Sequence, residues 1–306
     1  MEIRLEKKSP VETAKEVAQC IRRRVLEHTI KNNGGYLSQA CSSAEILASL
    51  YSGIMNLEPV KTPMFPKPFM GVPSAANKDY SPGYYFNGPH TPKSDRFILS
   101  PTHYSLVLYA VLIETGRMDK SGLDQFNKDG SSVEMIGAEH SPGMEVMTGS
   151  LGQGLSQAIG MAYGRRLKSE PGRTFVFMSD GEFQIGMVWE AFQFMNHHKL
   201  DNVLIFVDVN KQQCDGVMNS VMKIDPLEDR LRSFGAEVVS VDGHDINSIL
   251  EAAKTPHKDK PLVVLCNTDP CKGVPELKTN AGKLHYLRFK SDAERERYEK
   301  ILKEFK

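Results

Sequence analysis

The chain has few cysteines, and no two of them form a Cys-x-x-Cys pair. Cys20, Cys41, Cys214, Cys266 and Cys271 stand apart and are odd in number. That excludes a zinc ribbon or a disulfide-stapled scaffold and leads us to expect a reducing, cytoplasmic setting. Net charge is also missing. The 38 basic residues balance 38 acidic ones, so no overall field draws the chain to nucleic acid or to a membrane surface. No apolar run approaches the roughly 18 residues that span a bilayer, and the first residues lack the apolar core of a signal peptide. Internal repeats, low-complexity tracts and an obvious domain boundary are lacking too. The 306 residues suffice for a large core.

What is present is an alternation of short β-rich runs and helical stretches. Helical periodicity covers about Pro10 to Thr29, with Val17, Ile21, Val25 and His28 near one face. Asn32-Asn33-Gly34-Gly35 marks a turn. Ser42-Ser43-Ala44-Glu45 is expected to cap a second helix over Ala44 to Tyr51. Residues 59–92 differ, holding eight of the seventeen prolines together with Phe65, Phe69, Tyr80, Tyr84, Tyr85 and Phe86. Prolines at that density exclude helix and central strand. The segment reads as a surface loop, or as one whose aromatics are buried against a partner or a site.

Arg96-Phe97-Ile98-Leu99 reads as a strand, Ser100-Pro101-Thr102-His103 as a turn, and a helix follows, which places His103 at a helix start. In Glu145 to Gly164, Gly149, Gly152 and Gly154 crowd the beginning of a helix. There they either admit a ligand to the backbone or serve tight helix packing. Helices over Leu227 to Phe234 and Asp245 to Ala253 alternate with strands over Glu237 to Val241 and Leu262 to Cys266. Repeated βα units predict an α/β fold, a parallel sheet with helices on both faces. The mixed-sign tail SDAERERYEKILKEFK reads as a solvated terminal helix.

The stretch from Thr174 to Gly216 organises the rest. Apolar runs Thr174 to Met178 and Val203 to Val207 flank a helical stretch from about Ile185 to Lys199, a βαβ unit with parallel strands. Ser179-Asp180-Gly181 and Asp208-Val209-Asn210 follow the strands, at the sheet edge where ligands of open α/β folds bind. A carboxylate, an amide oxygen and one backbone carbonyl would supply half of an octahedral Mg²⁺ shell, with phosphate oxygens supplying much of the rest. The same residues also fit an ordinary turn and a cap. No strand is followed by a full G-x-G-x-x-G with an acidic residue about twenty positions on, so a dinucleotide enzyme is disfavoured.

The ordered set SDGE, WEAFQFMNHHKLDNV, DVNKQQCDG, TGSLGQG, DRFILSPTH, VDGHD and Asn280-Ala281-Gly282-x-x-His285 resembles the transketolase family across about Ser38 to His285. The resemblance implies the thiamine diphosphate-binding fold over residues 1–306, with an insertion at about 59–92. It implies thiamine diphosphate and Mg²⁺ (or Ca²⁺) as cofactors. Asp180, Asn210 and the Gln212 carbonyl would hold the metal. Gly181, Glu182 and Asn210 would line the diphosphate, and Gly149, Ser150 and Leu151 would meet the aminopyrimidine through backbone atoms. His103 would contact the cofactor near its diphosphate, His285 matches the His closing the late motif, and both would be catalytic and cofactor-binding residues. The implied reaction moves a two-carbon unit from a ketose to an aldehyde.

The departures from the family pattern are as instructive. Tyr36 stands where a substrate-contacting His is expected. His140 is offset from the His that precedes Pro142-Gly143. The family's glutamate five residues beyond the metal Asp is Ile185, while Glu190, placed among the catalytic residues, is kept. Cofactor positions persist and sugar-contacting ones change, which implies an altered sugar substrate, with Tyr36, His90 and His140 as substrate candidates and residues 59–92 reshaping the entrance. Nothing resembles the family's pyrimidine-binding module, so a second, C-terminal-type subunit completing an α2β2 assembly is expected. The alternatives are a silent scaffold subunit of the same fold, or a subunit of another thiamine diphosphate carboligase or 2-oxo-acid enzyme.

Overall fold

Strands rich in β-branched and aromatic residues form a parallel sheet, as the alternation predicts. The computed structural model describes residues 8–280 and 283–305. Among these, β1 (Arg96–Leu99), β2 (Thr174–Ser179), β3 (Val203–Val209), β6 (Glu237–Asp242) and β7 (Leu262–Asn267) pair in the order β1-β2-β3-β7-β6. A short antiparallel ribbon of β4 (Gln212–Gln213) and β5 (Gly216–Val217) lies just past β3.

Successive residues of a strand face opposite sides of a sheet, and here both sides are covered. Phe175, Phe177, Leu204 and Phe206 join one core, beneath α1 (Pro10–Lys31), α2 (Leu37–Ser49) and α3 (Ser105–Glu114). Val176, Met178, Ile205 and Val207 join the other, beneath α4 (Gln153–Leu167) and α5 (Gly186–His197). The short α6 (Met218–Val221), then α7 (Leu227–Ser233), α8 (Ile246–Ala252) and α9 (Asp292–Glu304) complete the chain. None of the described helices is long and apolar enough to cross a membrane. The five cysteines are free.

Helix α1 starts where the chemistry asks. Ser9 and Glu12 form a reciprocal capping box, with Pro10 in the first turn. The expected cap at Ser42-Ser43 is corrected. Helix α2 begins at Leu37 and all thirteen of its residues are buried. Ser43 Oγ donates back to the Gln39 carbonyl at 2.6 Å, and Ser42 Oγ reaches Asp208 Oδ2 at 2.5 Å. Serines that cap an exposed helix can thus satisfy themselves inside a buried one. The charged tail is helical, as α9, but it is not wholly solvated, since Glu294 and Tyr298 are buried.

His28 makes the fold sensitive to acid. Its ring meets Phe126 edge-on at 4.6 Å, and Nε2 is buried without a partner. Burial first, then the charge of Lys31, lowers its pKa to about 4, with Asp124 opposing. The unfolded chain takes up this proton near pH 6.5 and the folded one only near pH 4. The stability contributed by the neutral ring is therefore full above the unfolded pKa and is lost as pH falls toward 4. Urea unfolding at pH 7 and pH 5 should show this loss, and His28→Leu should remove its share. An equal drop in the variant would place the acid sensitivity elsewhere.

Candidate functional site

A cavity of about 280 Å³ opens beyond the carboxyl ends of β1, β2 and β3. Thr102, His103 and Tyr104 come from the turn after β1. Ser179 ends β2 and Gly181 and Gln184 follow it, and Asn210, Gln212, Gln213 and Cys214 follow β3. Tyr36, Ser38 and Gln39 enter from the start of α2, and Leu151, Ile136 and His285 close the rim. Parallel strands bring these loops together because all their carboxyl ends point the same way.

Asp180 is 1% exposed. Its Oδ2 accepts from Lys211 N–H at 2.7 Å, which draws the loop after β3 against the loop after β2. Its Oδ1 is buried without a hydrogen-bond partner. Burial, then the neighbouring Asp208 carboxylate, pushes its pKa up to about 8. Two buried carboxylates and one unused oxygen are a setting that a divalent cation relieves. No trio of His, Cys, Asp or Glu among the described residues offers an alternative cation site. The donors available are carboxylate, amide and carbonyl oxygens, which suit Mg²⁺ or Ca²⁺.

Asn210 is held by a residue to which the sequence motifs gave no role. Its Nδ2 donates to Asp208 Oδ2 and to Tyr104 Oη, both at 3.1 Å, and its Oδ1 accepts from Gln212 N–H at 2.9 Å. Asp208 in turn accepts from Ser42, from Tyr104 Oη at 2.8 Å and from Thr268 Oγ1 at 2.5 Å. Asp208 thus fixes which way the Asn210 amide faces. The Asp-x-Asn spacing was the only signal in the sequence that pointed to it.

The remaining predicted residues divide. Gly181 lies in the cavity wall, and a Cβ built on it would meet nothing nearer than Gln213 Cβ at 3.9 Å. His103 and His285 face each other across 4.9 Å, and Tyr36 lies 5.6 and 5.3 Å from their rings. Burial, then His285, lowers the His103 pKa to about 3, so its imidazole is neutral at physiological pH. Burial also lowers His285. Gln39 Nε2 donates to the His285 carbonyl at 3.1 Å and Ser38 Oγ to that of Leu284 at 2.7 Å, tying this late loop to α2. Asn280 is described, while Ala281 and Gly282 of the same motif lie outside the described residues.

Glu182 does not reach the cavity. It is fully buried, and its carboxylate accepts from Ser100 Oγ and from Ser179 N–H at 2.8 Å, bracing the ends of β1 and β2. Burial raises its pKa to about 7. Leu151 lines the rim, but Gly149 and Ser150 do not, and the Gly149 carbonyl accepts from Gln153 Nε2 at 2.6 Å. Gly154 serves packing, because a Cβ there would lie 2.8 Å from Ser100 Cα. Glu190 is exposed on α5, away from the cavity lining.

His90 and His140 are also outside the cavity. His90 stacks on Tyr84 at 3.6 Å and pairs with Glu145 at 3.0 Å. His140 stacks on Phe69 at 4.1 Å and pairs with Glu134 at 3.2 Å. Neither Tyr84 nor Tyr85 lines it. For His90 and the two tyrosines the cause is connectivity, since the segment ending at residue 92 feeds the amino end of β1 and the cavity lies past its carboxyl end, whereas His140 is drawn off by Phe69 and Glu134.

Residues 65–297 match the family model described as "Transketolase, thiamine diphosphate binding domain". The chain is 32% identical over 259 residues to the 6-deoxy-6-sulfo-D-fructose transketolase subunit SqwG of a Clostridium species, covering 84% of each. It is 29% identical over 266 residues to an apulose-4-phosphate transketolase subunit of Phocaeicola vulgatus, covering 86% of this chain and 85% of that one. The fold matches the crystal structure of Campylobacter jejuni transketolase with TM-score 0.71 at 22% identity, over 97% of this chain but only 46% of that one.

Proposed function

The chain belongs to the transketolase family and carries its thiamine diphosphate-binding domain, and from that premise we propose that it is the diphosphate- and metal-binding subunit of a split two-carbon transferase. The observation that carries this reading is the Lys211–Asp180 hydrogen bond of 2.7 Å, which brings the metal carboxylate and the Asn210 loop to one cavity while an Asp180 oxygen stays free. Asp180, Asn210 and the Gln212 carbonyl would hold Mg²⁺ or Ca²⁺. Gly181 would admit the diphosphate. Bound thiamine diphosphate supplies the carbanion chemistry that moves a two-carbon unit from a ketose to an aldehyde, and the protein supplies position and polarity. His103 and His285, both held neutral by burial, would act toward the substrate as uncharged hydrogen-bonding groups.

Tyr36 completes the same wall and would contact the donor sugar. Leu151, with Gly149 and Ser150 behind it, would face the aminopyrimidine. No Lys or Arg lines the cavity among the described residues. An anionic group at the far end of a donor would then have to be met by the second subunit. That subunit would bring the pyrimidine-binding module and the group that activates the cofactor, in an α2β2 assembly. Both relatives named as subunits are matched over most of their length, and their names specify modified sugars, which supports a non-standard ketose here.

The test is to co-express this chain with a pyrimidine-module chain from the same genome, add thiamine diphosphate and Mg²⁺, and screen sulfonated, phosphorylated and branched ketoses against aldehydes. Turnover is expected from the pair and from neither chain alone. Turnover by this chain alone, or an inactive pair that binds the cofactor, would overturn the split-enzyme reading.

A further inference from the structure

At the end of β1 remote from the cavity, two buried guanidiniums share one concavity. Arg96 opens β1 and Arg165 lies in the last turn of α4, with exposures of 7% and 5%. The hydrogen bonds of Arg96 all go to uncharged oxygens: Ser94 Oγ at 3.0 Å, and the carbonyls of Ser94 at 3.3 Å and of Thr91 and Asp95 at 3.5 Å. Arg165 Nη2 donates to the carbonyls of Pro92 at 3.1 Å and Ser94 at 2.8 Å. Its Nε lies 3.1 Å from Glu170 Oε2, off line for a hydrogen bond, and its Nη1 is buried with no partner at all.

These groups, with Lys168, His90 and the carboxylate of Glu170, line a concavity of about 350 Å³. Lys168 stands exposed at its rim. Glu145 pairs with His90 at 3.0 Å and Glu170 with Arg165 Nε at 3.1 Å, so three cations, Arg96, Arg165 and Lys168, stand against two carboxylates, and Arg165 Nη1 keeps no hydrogen-bond partner. Burial, then the charge of Arg165, presses the Arg96 pKa down, against the opposing pull of Glu145 and Glu170. At the carboxyl end of α4 the carbonyls of Gly164, Arg165 and Arg166 accept from the amides of Lys168, Ser169 and Glu170.

We propose that this concavity binds a phosphate-type dianion, free or as a phosphomonoester, through Arg165 Nη1 and Arg96 with Lys168 at the mouth. A guanidinium presents planar N–H donors that match phosphate oxygens, and burial strengthens the pairing. The site is separate from the cofactor cavity, since β1 runs between them, about 13 Å at about 3.3 Å per residue.

The experiment is calorimetric titration of the protein saturated with thiamine diphosphate and Mg²⁺, in phosphate-free chloride buffer. The probes are inorganic phosphate and glycerol 3-phosphate. One saturable site is expected for at least one of them. Tighter binding of inorganic phosphate would identify the free anion as the ligand, and tighter binding of the ester a phosphorylated metabolite. Lys168→Glu should weaken binding roughly tenfold with the thermal midpoint unchanged, and Arg165→Met should remove it. Arg165 also braces residues 92–94, so if Arg165→Met fails to fold, the exposed Lys168→Glu variant decides. Absence of saturable binding by the wild type, or equal affinity in Lys168→Glu, would overturn the site.

Discussion

Asp180→Ala is expected to abolish thiamine diphosphate binding while leaving the apo fold at least as stable. The side chain is 1% exposed, lies between the cavity-lining Ser179 and Gly181 and, among the described residues, contributes the only carboxylate oxygen that is buried without a partner. Its orientation is set by the Lys211 amide, so no neighbour can replace it. Even outer-shell partners of a metal ligand contribute about 10- to 100-fold to affinity, and losing a ligand itself should cost at least about 100-fold. The apo protein gains from the change, because two buried carboxylates, Asp180 and Asp208, no longer oppose each other. Thermal unfolding separates the two effects. At cofactor about 100 times above its Kd the wild type should gain about 2.7 kcal/mol, and the variant should gain almost nothing. A full ligand-dependent rise in the variant would remove Asp180 from the metal site.

Gly181→Val is expected to weaken cofactor binding at least about tenfold without harming the fold. The nearest atom to an added Cβ is Gln213 Cβ at 3.9 Å, and Gly181 is not among the glycines of positive φ. A side chain is therefore tolerated by the protein. Replacing glycine where the backbone permits it stabilises by about 0.4–1 kcal/mol through the unfolded state, so Gly181→Ala should raise the apo midpoint slightly. The added methyls instead fill the cavity wall where the diphosphate would approach. Gly154→Ala makes the opposite case. Its Cβ would lie 2.8 Å from Ser100 Cα, so stability should fall and cofactor affinity should follow only indirectly. Equal cofactor affinity in Gly181→Val and wild type, measured by titration at matched stability, would move the diphosphate away from this loop.

The predicted bounds of β1, β2, β3, β6 and β7 were met to within two residues, because β1, β2, β3 and β7 are short, largely buried apolar runs, while β6, at the sheet edge and half-exposed, shows as a Val-rich run between two helices. Helix α2 was misplaced because a helix buried on every side carries no amphipathic period, and its serines look like caps. For Glu182 the sequence motif points to the diphosphate, and only tertiary contact shows that Ser100 and Ser179 engage its carboxylate, outside the cavity lining.

The sequence by itself determined the family, the parallel sheet, and the two loops bearing Asp180 and Asn210, since local periodicity and motif order encode all of these. The tertiary structure alone decided which side chains meet. It kept His90 from the cavity, because its segment feeds the amino end of β1, and it turned His140 onto Phe69 and Glu134 although Ile136 of the same loop reaches the rim. It joined Ser42, Tyr104, Asp208 and Thr268 into the network that aims Asn210. It also set Arg96 beside Arg165. Those pairings span from about 60 to 166 positions for the Asp208 network, and no local pattern records a contact at that range.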